Sequence, residues 1–121
     1  MNKEALIQAG IQYEEGVYRF GGTPQIYEKY LLKFFDQNDL PMLRQALEDE
    51  DYDSAFKIAH NLKGGAGNLS IAAYFDQICE LVEALRAGVK DRSLLAMLQK
   101  AEALYDTAYC AVKEEFHGKE N

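Results

Sequence analysis

Tyr52-Asp53-Ser54-Ala55-Phe56-Lys57-Ile58-Ala59-His60-Asn61-Leu62-Lys63-Gly64-Gly65-Ala66-Gly67 places its apolar side chains at Tyr52, Ala55, Phe56, Ala59, Leu62 and Ala66. Steps of three and four residues are the period of an amphipathic helix, so a helix is expected from about Asp51 or Tyr52 to Gly67, with one stripe on a core. At ~100° per residue, His60, Gly64 and Gly67 fall on the flank of that stripe and Lys63 on its border. The histidine therefore belongs to the edge of the core, on the wet side.

The same period continues on both sides of this segment. Short helices are expected over 3–9 and from Gln12 to Arg19. After Gly21 and Gly22, Thr23 is placed to cap a helix that has Pro24 at its first position. Ile26, Tyr27, Tyr30, Leu31 and Phe34 follow at helical spacing. Pro41, preceded by the capping residues Asn38 and Asp39, interrupts the pattern; a kinked helix to about Asp49 and two separate helices are both compatible with it. Beyond the central segment, Ser70 is expected to cap a helix that turns Ile71, Tyr74 or Phe75, Ile78, Leu81 or Val82, and Leu85 inward and ends at Gly88. Asp91 starts the last one, with Leu94, Leu98, Ala101, Tyr105, Ala108 and Val112 inward and a frayed tail after Phe116. Period-2 alternation is missing and β-branched residues are scarce, so strands find almost no support. Four long amphipathic segments with short connections predict an all-α fold, an antiparallel four-helix bundle with short additional N-terminal helices.

Composition narrows the functional classes. A chain of 121 residues with 48% hydrophobic residues can bury a self-sufficient core. Its net charge of −7 argues against nucleic-acid binding, which needs clustered Lys and Arg. No apolar run approaches the ~18–20 residues needed to span a bilayer, so no membrane insertion is expected. The opening MNKEALIQAG is too short an apolar stretch for a signal peptide, which points to the cytoplasm. Cys79 and Cys110 lack CxxC spacing and read as reduced packing residues. Phe34, Phe35, Tyr74 and Phe75 read as core, with one or two of them rimming a docking surface. The acidic run Glu48 to Asp51 reads as a solvated connection.

The chemistry gathers at His60. Residues three apart on a helix are neighbours, so the Lys63 ammonium can reach an anion held at the ring. Gly64 and Gly67 leave the backbone beside it open; that the glycines simply mark a helix end is the weaker reading, more so for Gly64 than for Gly67. A protonatable ring, a cation and a cleared approach suggest a transient anion acceptor read by another macromolecule. An ordinary imidazole keeps a neutral, nucleophilic nitrogen at neutral pH. A lone helical histidine is most often structural; the context of Lys63 and Gly64 is what sets this one apart. His117, in the tail, has no such context.

Ala59-His60-Asn61-Leu62-Lys63-Gly64, with Ala66 and Gly67 after it, resembles the signature of histidine-containing phosphotransfer (HPt) domains. The likeness extends through Tyr18-Arg19-Phe20-Gly21-Gly22, through Tyr27 to Phe35 and from Asp51 into the histidine helix, covering roughly residues 10–90. It implies one HPt-like domain over 1–121, with short helices in 3–20, a bundle over 24–116 and a frayed tail at 117–121. By this resemblance His60 is the phosphoacceptor, Lys63 steadies the phosphoryl group, and Gly64 and Gly67 admit the partner. Arg86 is a candidate outer-shell cation. Ser70 replaces a glycine found in many members, which is strained if that position needs positive φ. Val82 stands where several members carry a Gln near the site.

The implied function is that of a phosphorelay carrier in two-component signalling, taking phosphate from a receiver-domain aspartyl phosphate and passing it to another receiver. Its implied partners are response-regulator receiver domains and a hybrid sensor histidine kinase; a monomer is expected. No autonomous kinase activity is expected, and no cofactor of its own, since Mg²⁺ would sit on the receiver. A helical adaptor that binds receivers without carrying phosphate is the alternative. A di-metal bundle enzyme would need Glu-x-x-His from two facing helices, and Lys57 stands three residues before His60.

Overall fold

A computed structural model of the chain describes residues 3–117, with side chains through Phe116. Seven helices are present among the described residues: α1 (Lys3–Gln8), α2 (Tyr13–Arg19), α3 (Pro24–Asp36), α4 (Leu40–Glu48), α5 (Tyr52–Asn68), α6 (Ala72–Arg86) and α7 (Ser93–His117). Packing closes a ring in which α5 lies against α4 and α6, and α7 lies against α6 and α4. The links between these helices are short, as antiparallel neighbours require. The fold is an all-α four-helix bundle. The tail residues 118–121 and the His117 side chain lie outside the described residues.

The segment around Pro41 is split rather than kinked. Helix α3 ends at Asp36, and the Asn38 Oδ1 accepts the Leu40 N–H at 3.0 Å to start α4. Pro41 then sits in the first turn of α4, where a missing N–H leaves nothing unsatisfied. At the other end of α5 the Asp51 carboxylate accepts the Ser54 N–H at 3.2 Å and caps the helix. Bonding from the Ser54 side chain and backbone holds that carboxyl below the usual carboxylate range.

The inward stripes of α5 and α7 are as their periods dictate: Ala55, Ala59, Leu62 and Ala66 are buried, as are Leu94, Leu98, Ala101, Tyr105, Ala108 and Val112. On α3 the buried set is Tyr27, Glu28, Leu31 and Phe35, while Ile26 and Tyr30 are exposed and Phe34 is half-buried. The α3 stripe is therefore rotated from the expected one. Two tyrosines account for this: Tyr27 donates to the Leu69 carbonyl at 2.7 Å, and Tyr105 donates to the Phe35 carbonyl. Both bonds turn that face of α3 inward. Cys79 is half-buried, but Cys110 is exposed, so only the first is a packing residue.

Ser70 does not cap α6. It closes α5 instead: the Ile71 N–H bonds back to the Ala66 carbonyl and the Ser70 N–H to the Gly67 carbonyl, the paired bonds that end a helix with a left-handed residue. Ser70 is that residue, at φ 57°, where Gly88 serves at the end of α6 with φ 84°. The start of α6 is served from the N-terminal segment, since the Gly10 carbonyl accepts the Ala73 N–H at 3.2 Å. The Ser70 Oγ is buried with no hydrogen-bond partner. Ser70→Gly should therefore stabilise the fold by ~1 kcal/mol, because strain and an unpaired hydroxyl are relieved against the greater freedom of an unfolded glycine. Thermal unfolding should move up by a few degrees; a lower melting temperature would show that the hydroxyl is held by a bound water.

Candidate phosphoacceptor site on α5

His60 is exposed on α5, one turn after Phe56, and its ring stacks on the Phe56 ring with centroids 5.9 Å apart and planes 17° apart. The period of the helix makes the pair possible, as residues four apart meet on one face. The Arg86 guanidinium lies over the same phenyl ring, 5.7 Å from its centroid, while its Nη1 donates to Glu83 Oε1 at 2.7 Å. Arg86 is thus tied to the histidine through Phe56. That the residue four before His60 is aromatic was legible in the sequence; that α6 would bring a cation onto it was not.

Lys63, half-buried, sits one turn after His60 and faces α6. Its ammonium acts on Cys79, whose thiol is pushed up by burial against the pull of that positive charge. Val82 contributes nothing to the site's surface, because its side chain is fully buried in the core. Among the side chains that α6 brings toward this face are Cys79 and, beyond it, Glu83 and Arg86.

The three glycines of α5 differ in what their missing side chains allow. A Cβ on Gly67 would come 2.9 Å from the Phe75 ring, and one on Gly65 would come 3.0 Å from the Phe34 ring. Their smallness lets the half-buried rings of Phe75 and Phe34 close onto the helix. At Gly64 a Cβ would meet nothing within 4 Å. Gly64 is helical and is not among the residues with positive φ. Neither packing nor backbone conformation explains it. Gly64 also lines a groove that continues past Gly67 and Phe75 to Glu15 and Arg19 of α2.

The Hpt domain family model matches residues 35–108, more than half of the chain. The chain belongs to the Hpt domain family. The comparison with curated proteins and that with solved structures give no match. The Hpt match takes in α4, α5 and α6 whole and most of α7, which are the four members of the bundle. It begins at Phe35, so the N-terminal likeness over residues 10–34 lies outside it. Hpt domains are phosphoryl carriers of two-component phosphorelays, and that is the class of signalling to which this chain belongs. Among the described residues no helix is long and apolar enough to cross a membrane.

Proposed function

We propose that the chain carries a phosphoryl group on His60, received from the aspartyl phosphate of a receiver domain and passed to a second receiver. The observation that carries this reading is the open face of α5: an exposed imidazole, with Lys63 one turn on and, at Gly64, space that the protein's own packing leaves unused. A neutral ring nitrogen attacks phosphorus, the bond from phosphorus to the aspartyl oxygen breaks, and the carboxylate leaves; the return step reverses this on the next receiver. Positioning and charge stabilisation do most of the work in phosphoryl transfer. Here the stacked Phe56 ring sets the plane of the imidazole, and Lys63 offsets charge on the equatorial oxygens. Mg²⁺ and the remaining catalytic groups would be the receiver's.

Incubation with purified phosphorylated receivers from the source organism tests the reading. Label should appear as an acid-labile, alkali-stable phosphoramidate that maps to His60. A chain that binds a receiver but takes no label would be an adaptor. Lys63 has its own expected outcome. Exposed ion pairs contribute ~0–1 kcal/mol, so Lys63→Ala should slow transfer or shorten the phosphohistidine lifetime by roughly tenfold or less. Unchanged kinetics in both directions would return Lys63 to the ordinary surface.

A further inference from the structure

The chain has a net charge of −7, yet a partner that delivers phosphate brings a strongly anionic group to His60. Like charges this large oppose each other unless the local field differs from the average one. It does differ on one side of the histidine. A groove of about 490 Å³ runs from Phe56 along α5 and the end of α6, and its charged lining is Lys57, Arg86 and Lys90 against Asp53. Glu83, bonded to Arg86, tempers it. The cations are seated on aromatic rings: Arg86 lies over Phe56, and the Lys90 ammonium lies 5.7 Å from the centroid of Tyr52. Phe56 belongs both to this groove and to the stack under His60. Beyond Lys90 the next hollow is mixed in charge, with Glu48, Glu50 and Asp91 beside Lys90 and Arg92.

We propose that this groove, along Phe56, Lys57, Arg86 and Lys90, is the track on which the acidic rim of the phosphorylated receiver seats, with His60 at its end. The inference rests on the reading of His60 as acceptor and adds the direction of docking. The cations attract the anionic face, and the exposed edges of Tyr52 and Phe56 supply apolar contact between them. The overall charge of −7 disfavours the same partner in other orientations. Association is steered and therefore salt-dependent, since screening at high ionic strength removes the advantage.

The experiment compares two double charge reversals of equal net effect. Lys57→Glu with Lys90→Glu alters the groove. Lys100→Glu with Lys113→Glu alters exposed positions on α7, a helix that packs on α4 and α6. The second-order rate of phosphoryl transfer is measured with the purified receiver that transfers fastest to the unaltered chain. At ~0.05 M salt the groove variant should be slower by about tenfold or more, with the difference vanishing toward ~0.5 M. The α7 variant should stay within about twofold of the unaltered chain. Equal losses in both variants, or none in the groove variant, would overturn the proposal. So would a chain that self-associates in sedimentation and loses this in the groove variant alone, because the occupant would then be a second copy. Failure of every receiver to label the unaltered chain is a separate result, and it overturns the assignment of His60 rather than the track.

Discussion

His60→Gln should carry no label from any phosphorylated receiver while retaining the helical circular-dichroism signal of the unaltered chain. The chemistry is lost because an amide nitrogen is not a nucleophile toward phosphorus, and no other histidine shares the setting of Lys63 and Gly64. The fold is kept because His60 is exposed and, among the described residues, its ring contact is with Phe56. Surface substitutions of this kind change stability by about 0.5 kcal/mol or less, and Gln is a good helix former. Receiver binding should persist, since the groove and the face at Gly64 are unaltered. Label that remains in His60→Gln, or that maps to His117, would remove His60 from the acceptor's role.

The retained fold follows from how strongly the stripes of α5 and α7 are written in the sequence. Every apolar position assigned inward on α7 is buried, because a long helix with an unbroken period has one face to offer. The α3 stripe was less legible. Tyr27, Tyr30, Phe34 and Phe35 are all large and apolar, and periodicity alone does not choose among faces that are each aromatic. The choice is made by hydrogen bonds from Tyr27 and Tyr105, which join residues 42 and 70 positions apart. Ser70 shows a different boundary of sequence reading. A serine before an apolar run has the chemistry of an N-cap, but α5 and α6 are so close that one residue must end the first helix, and the backbone takes that need first.

The candidate site divides in the same way. The placement of His60 and Gly64 on one exposed flank, with Lys63 at its border, follows from spacing along a single helix. Contacts made across helices do not: the Arg86 guanidinium over Phe56, the Lys63 charge beside Cys79 and the burial of Val82 depend on the register of α5 against α6. The motif glycines are the clearest case. Within four residues of one another and identical in chemistry, Gly64, Gly65 and Gly67 acquire different reasons only when Phe34 and Phe75 are seen to fill two of the three spaces.

Gly64→Gln should separate stability from transfer. Its Cβ enters open space and its backbone is ordinary helix, so folding should be favoured by up to ~1 kcal/mol as a mid-helix glycine is replaced by a better helix former. The melting temperature should hold or rise. Transfer should fall on the order of 100-fold, because the new side chain stands beside His60 where the donor must come within bonding distance, and a displacement of ~1 Å suffices for such a loss. Gly67→Ala makes the contrast. There a Cβ lies 2.9 Å from the Phe75 ring, so the ring must shift and stability should drop. Measuring melting temperature and transfer rate on both variants tests the two glycines at once. If Gly64→Gln transfers phosphate at the rate of the unaltered chain, the open face of α5 is not where the receiver enters.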